Sequence, residues 1–125
     1  MTVFILFAML FLHTLDDFHL QGALVNLKQR KYWLKNSPSD LFKYDYLVAL
    51  FVHSFSWTFM TMLPIVIYYR STLDSIIIKY VVIFIINVMC HAFIDNLRAN
   101  KYKINLVTEQ LLHVAQILLT YFIFM

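Results

Sequence analysis

Histidines and carboxylates stand four positions apart at three places in this sequence. The pairs are His13 with Asp17, His91 with Asp95, and Glu109 with His113. Residues at this spacing lie on one face of an α-helix, so each pair would place an imidazole beside a carboxylate. A shuffled chain of the same composition would contain about half of one such pair, so the presence of three favours a functional arrangement. Imidazole and carboxylate together are the usual ligands of zinc, iron and manganese.

A fourth histidine, His53, is isolated in a stretch without charged residues, and it extends the set. The candidate metal ligands are His13, Asp17, His53, His91, Asp95, Glu109 and His113. Three to five of these would hold one ion, and seven would allow two ions or a shell that orients the ligands. The expected ion is a divalent transition metal, with zinc favoured over iron or manganese. The carboxylates Asp17, Asp95 and Glu109 are also the candidate catalytic residues, as ligands or as a general base.

The elements that must position these residues are four apolar stretches. We predict membrane-spanning helices over about residues 2–22, 46–69, 76–97 and 104–125, each near the length needed to cross a bilayer. Hydrophobic residues make up 62% of the chain and charged residues only 14%, which is too few to cover a soluble domain. The first stretch lacks a basic leader and a cleavage site, so we expect it to be retained. The sequence therefore predicts an all-α integral membrane bundle of about four transmembrane helices, forming a single domain over residues 1–125.

The basic residues predict which way the helices run. Eight of them lie in the first and third connections: Lys28, Arg30, Lys31, Lys35, Lys43, Arg98, Lys101 and Lys103. Only Arg70 and Lys79 flank the second connection. Basic connections stay in the cytoplasm, so we expect both chain ends to point outward from a cytoplasmic membrane. Residues 23–45 mix basic and aromatic side chains and are expected to lie along the membrane surface.

All seven candidate ligands fall at one depth under this topology. They lie within about nine residues of the predicted cytoplasmic boundary, or roughly 14 Å at the rise of an α-helix. Polar side chains inside a span are costly and usually functional. Four separate segments that carry them at one level predict a shared, inward-facing cluster.

Several other side chains have simpler interpretations. Trp57 is expected to be an interface anchor or a packing residue, and Asp16 to face the interface or a neighbouring helix. Arg98 is expected to bind an anionic headgroup or to snorkel toward the headgroup region, with snorkelling favoured, and Cys90 is expected to be a small buried residue. Caps are predicted before three spans: at Ser37 followed by Pro38, at Ser71 or Thr72 with Asp74 following, and at Asn105.

The order of these motifs resembles the domain of unknown function 3307 family of small bacterial and phage membrane proteins. The matching segments are HTLDDFHLQ from His13 to Gln21, His53 followed by Ser54, HAFID from His91 to Asp95, and EQLLH from Glu109 to His113. Glu109 stands where this family often has Asp, and Arg98 is the counterpart of a basic residue that follows its third motif. The resemblance implies a multi-pass membrane protein with a shared polar centre, and it implies no particular reaction.

Two classes of function follow from these residues. The first is a metal-dependent hydrolase-like protein whose amphiphilic substrate enters from the inner leaflet. The second is a non-enzymatic membrane protein, in which the polar residues form an ion or proton pathway, assist a partner, or make a structural hydrogen-bond network. The bilayer is the expected partner in both classes, and the sequence leaves open whether the chain forms a homo-oligomer. No nucleic-acid binding is expected, because the basic residues follow the pattern that orients membrane proteins.

Overall fold

The computed structural model describes residues 1–125, and every regular element in it is a helix. The elements are α1 (Thr2–Leu15), a π-helical turn (Asp16–Leu20), α2 (Leu24–Leu27), α3 (Arg30–Asn36), a 3₁₀ turn (Asp40–Phe42), α4 (Asp45–Tyr68), α5 (Leu73–Ala99) and α6 (Leu106–Phe124). Four helical segments are long and apolar enough to cross a membrane: Thr2–Leu20, Asp40–Tyr68, Leu73–Ala99 and Leu106–Phe124. The predicted all-α fold with four such helices is confirmed.

The helix boundaries agree with two of the three predicted caps, since Thr72 is the N-cap residue of α5, although its side chain makes no capping hydrogen bond. The Asn105 side chain accepts a hydrogen bond of 2.9 Å from the Thr108 amide and caps α6 as expected. The predicted cap at Ser37 and Pro38 is wrong, because α4 begins only at Asp45. Two short helices and the 3₁₀ turn fill the connection instead, so the chain runs along the end of the bundle before it re-enters.

The single glycine makes the turn at the end of the first span possible. Gly22 has a φ of +53° directly after the π-helical turn. A side chain is strained at that angle, although nothing crowds the position. The chain therefore leaves the first span abruptly and enters α2 within two residues.

The molecule is apolar outside and polar inside, which is the reverse of a soluble protein. Large hydrophobic side chains such as Phe4, Phe7 and Ile78 are exposed on the outer surface of the bundle. More of the buried residues are polar or charged than hydrophobic. Cys90 belongs to the exposed set. The expectation that it is buried is wrong, because it lies on the face of α5 turned away from the bundle.

Helix α4 occupies the centre of the bundle and divides its interior into two halves. Half of its most apolar stretch is buried, against about a fifth for each of the other spans. Near the C-terminal end of α4, Met62 and Ile65 pack with Ile5, Ile117 and other apolar residues. The opposite half is lined by the histidines and carboxylates. The apolar half therefore packs the bundle, and the polar half forms the candidate site.

Candidate metal centre

The four intramembrane histidines meet in the polar half of the bundle. His13 comes from α1, His53 from α4, His91 from α5 and His113 from α6, and each is at most 4% exposed. The Nε2 atoms of His53 and His91 are 3.2 Å apart. The rings of His91 and His113 stack with centroids at 4.1 Å, and the ring of His13 meets that of His113 edge-on at 5.8 Å. Four imidazoles from four helices thus form one cluster.

Asp17 presents its two oxygens to different members of this cluster. Its Oδ1 atom lies 3.4 Å from Nε2 of His53. Its Oδ2 atom lies 3.3 Å from Nδ1 of His113 and 3.6 Å from Nδ1 of His13. One carboxylate therefore spans the gap between imidazoles of three helices.

Asp95 has the same arrangement on the other side of the cluster. Its Oδ1 atom lies 3.4 Å from Nε2 of His113 and 3.6 Å from Nε2 of His91. Its Oδ2 atom lies 3.3 Å from Nε2 of His53. The two aspartates enclose the imidazoles between them.

These distances make three sets of atoms that could each hold a metal ion. The sets are His13, Asp17 and His113; Asp17, His53 and His91; and His91, Asp95 and His113. Within each set the ligand atoms lie within 4.8 Å of one another. Six of the seven predicted ligands are therefore brought together, and all six belong to a single chain.

The seventh, Glu109, lies at the margin of the cluster and outside these sets. Its Oε2 atom accepts a hydrogen bond of 2.7 Å from Nη1 of Arg98. It also lines a small inner cavity of about 40 Å³ together with Asp17 and Asp95. A space of that size holds about one water molecule. Arg98 therefore makes a defined ion pair, an interaction that neither of its predicted roles included.

The donor set fits a divalent metal ion, because many of its polar atoms are buried without a hydrogen-bond partner. These atoms are Nδ1 of His53, Nδ1 of His91, both nitrogens of His113 and Oδ1 of Asp17. Unsatisfied polar atoms are rare in native interiors and call for an explanation. Nitrogen and carboxylate oxygen lone pairs in one cluster are what zinc, iron or manganese would use.

The charges of the cluster lead to the same conclusion. The carboxylates of Asp16, Asp17 and Asp95 are buried, and the only cation among them is the ammonium of Lys28. If the imidazoles are neutral, the three carboxylates and the one ammonium leave an excess of two negative charges. Charge of one sign is costly in a low-dielectric interior unless it is compensated. One divalent cation or two protonated imidazoles would balance it.

Lys28 is part of the site, and sequence reasoning assigned it only to a surface connection. Its Nζ atom donates to Oδ2 of Asp95 at 2.7 Å, across 67 positions of sequence. Asn100 holds this connection in place, since it donates to the Lys28 carbonyl and accepts from the Arg30 amide. No local pattern could have revealed the pair, because the two residues meet only after the connection folds back over α5.

Asp16 also belongs to the site, and it faces a neighbouring helix. Its Oδ1 atom accepts a hydrogen bond of 2.7 Å from the Ser56 hydroxyl, and its Oδ2 atom lies 3.6 Å from Nδ1 of His53. The π-helical turn gives Asp16 and Asp17 adjacent inward positions. Such wide turns occur frequently at functional sites.

Trp57 packs in the apolar core, which confirms its predicted packing role, and it also contacts the histidine cluster. Its indole stacks on His91 with centroids at 4.1 Å, and its Nε1 atom donates to Nδ1 of His13 at 2.8 Å. A neutral His13 held this way carries its proton on Nε2 and has no free nitrogen for a metal. His13 can therefore be a ligand only when this bond breaks. The spacing of four from His53 was the signal that could have placed Trp57 here.

No protein-family model matches this chain, and neither does any curated protein or solved structure. The resemblance to the domain of unknown function 3307 family stays a prediction. It rests on the four motifs and their order.

Replacing Lys28 tests whether the buried Asp95 needs its ammonium partner. We expect Lys28→Met to lower the free energy of unfolding of the metal-free protein by about 3–5 kcal/mol, because a buried carboxylate is left uncompensated. Unfolding in mixed detergent micelles measures the loss. Adding Asp95→Asn should restore most of the lost stability. Lys31→Met, at an exposed position, is the control and should change the free energy of unfolding by less than about 0.5 kcal/mol. Equal stability of the two Lys→Met variants would contradict the role given to Lys28.

Proposed function

We propose that this chain is a multi-pass membrane protein with a divalent-metal centre that carries out hydrolase-like chemistry on an amphiphilic substrate. The observation that carries the proposal is the convergence of His53, His91, His113, Asp17 and Asp95 in one buried cluster with unpaired nitrogens. Helices from all parts of the chain contribute to it. Burying so many polar groups within a membrane costs free energy unless a bound ion or ligand compensates them.

The residues that would hold the ion are the members of the three ligand sets. His113 has both ring nitrogens without a hydrogen-bond partner, and the Nε2 atoms of His53 and His91 face each other at 3.2 Å, whereas the nitrogen of His13 that faces the cluster is engaged by Trp57. Asp17 and Asp95 each direct two oxygens toward different imidazoles, so they would be the carboxylate ligands of a bound ion. Zinc suits this mixture of nitrogen and oxygen best, and iron or manganese would also be accepted.

Glu109 is the best candidate for the general base. A bound divalent ion would supply Lewis-acid polarisation of the bond to be broken. Glu109 lines the inner cavity beside Asp17 and Asp95 but belongs to no ligand set, so its carboxylate is free to take a proton from a water there. Arg98 holds it in that position through their 2.7 Å hydrogen bond.

The competing function is a structural polar network, and a neighbouring group of residues favours it. Asn87 donates to the Thr120 hydroxyl at 2.9 Å and accepts from the Gln116 amide at 2.7 Å. These bonds join α5 to α6 inside the bundle. This network leaves one buried polar atom unpaired, Oε1 of Gln116, whereas the histidine cluster leaves four ring nitrogens without a partner. A purely structural cluster would be expected to satisfy its histidines equally well.

The metal centre would lie close to the cytoplasmic surface of the membrane. It occupies the end of the bundle that carries the two basic connections, and basic connections stay in the cytoplasm. A substrate would then approach from the inner leaflet or from the cytoplasm.

Metal content tests the proposal directly. We expect the full chain, purified in mild detergent after metal-replete expression, to carry at least about one divalent transition-metal ion per chain. His91→Ala should lose most of it, since His91 belongs to two ligand sets. His19→Ala is the matched control, because His19 is exposed and outside the cluster. Elemental analysis gives the number, and a metal-free wild type would favour the structural network.

A second experiment separates the proposed base from the ligands. We expect Glu109→Gln to retain the metal, because Glu109 is outside every ligand set, whereas Asp95→Asn should lower the metal content severalfold. Both changes remove one carboxylate charge and keep the side-chain shape. Equal loss of metal from the two variants would make Glu109 a ligand and remove it as the base.

Labelling tests the orientation. In a Cys90→Ser background, a membrane-impermeant maleimide should label Lys101→Cys in inside-out vesicles and leave it unlabelled in intact spheroplasts. Thr72→Cys, in the connection between α4 and α5, should give the opposite result. The reverse pattern for the pair would place the site at the outer surface.

A further inference from the structure

A second, larger cavity opens at the basic end of the bundle. It has a volume of about 450 Å³ and lies between the first connection and the C-terminal end of α5. Lys28, Lys31 and Arg98 line it, and Glu109 is its only acidic lining residue. With Lys28 paired to Asp95 and Arg98 paired to Glu109, the lining keeps one uncompensated positive charge, that of Lys31. A cavity of this charge favours an anion.

The three cations keep hydrogen-bond donors that no protein group uses. The ammonium of Lys28 has three donors and gives one to Asp95. The guanidinium of Arg98 has five and gives one to Glu109. Lys31 has no carboxylate partner, and its Nζ atom lies 6.0 Å from the centroid of the Tyr102 ring. Lysine and arginine side chains with spare donors are typical of phosphate sites.

This outer cavity leads to the metal centre. It shares Gln21, Lys28, Arg98 and Glu109 with the inner cavity of about 40 Å³, whose other lining residues include Asp17 and Asp95. The ion pair of Arg98 with Glu109 lies on the boundary between the two spaces. If the cations of the outer cavity bind the anionic group of a molecule, the atoms next to that group would lie beside the three sets of metal ligands.

We infer that the outer cavity is a binding site for the phosphate group of an anionic amphiphile. A phosphate group is anionic and offers oxygens that would accept hydrogen bonds from the spare donors of Lys28, Lys31 and Arg98. The basic connections lie where a helix bundle meets the headgroups, and the exposed surface around them is apolar, so a lipid phosphate can reach the cavity from the bilayer. The assignment of this ligand as the substrate rests on the proposed hydrolase-like function, whereas its binding does not.

Short-chain lipids make the binding measurable with the full detergent-purified chain. The probe is dihexanoyl phosphatidic acid, titrated by calorimetry at low salt, with dihexanoyl phosphatidylcholine as the zwitterionic comparison. We expect phosphatidic acid to bind at least about tenfold more tightly, since each charge-assisted hydrogen bond lost corresponds to roughly that factor. Inorganic phosphate as a competitor distinguishes the source of the anion. Strong competition would support the site and assign it to soluble phosphates, and weak competition would support it and assign it to lipids.

Variants locate the site. Lys31→Ala, at an exposed position, should weaken phosphatidic acid binding by roughly tenfold. The double variant Arg98→Gln/Glu109→Gln removes the guanidinium without leaving a buried charge unpaired, and it should weaken binding by a similar factor. The control is Lys101→Ala/Lys103→Ala, which removes two charges at the same end of the bundle but outside the cavity, and it should change affinity less than twofold.

Two results would overturn the anion site: equal affinity for the two lipids, or an equal loss in the cavity variants and the control. The metal content of every sample is measured in parallel. Selective binding by a metal-free wild type would refute the metal centre and leave the anion site standing. A metal-loaded protein without lipid selectivity would refute only the anion site.

Discussion

The bundle is organised around two carboxylates that are buried between four helices. Asp17 and Asp95 are almost inaccessible to solvent, and a charge in such surroundings must be matched by nearby polar or cationic groups. The ammonium of Lys28 pairs with Asp95, and imidazoles from several helices surround both carboxylates. The requirement sets the axial register of the helices, because each must bring its histidine to the same level. It also explains why a surface connection sends a lysine into the interior.

The apolar half of the bundle gives this centre a rigid frame. Met62 and Ile65 of α4 pack with residues of α1 and α6 at the end opposite the basic connections. Trp57 stands where the two halves meet, and it is in contact with both: its ring packs in the apolar cluster, stacks on His91 and donates to His13. One side chain therefore couples the packing of the bundle to the orientation of two imidazoles. A polar centre held in this way is preorganised for a ligand.

Much of the site could be predicted because helical spacing and membrane depth are local properties. A residue four positions from a histidine must share its face, and a span of known direction sets the level of each polar group. Those two rules selected six residues that the fold brings together. Glu109 met the same rules and still lies at the margin, because Arg98 binds it. Lys28 could not be found by either rule, since its partner is on another helix. Cys90 was misjudged because a single apolar position does not reveal which face of a helix meets the bundle.

The sequence by itself determined the four apolar helices and the single layer of histidines and acids, because hydropathy and helical periodicity act over one or two turns of chain. The tertiary structure alone decided which of those groups face each other. It selected Asp17 and Asp95 as the centre, joined Lys28 to Asp95, and turned Asp16 inward through a π-helical turn. It also opened the basic cavity between the first connection and α5. These outcomes depend on how helices rotate and pack against one another, which is settled by contacts between residues far apart in the chain.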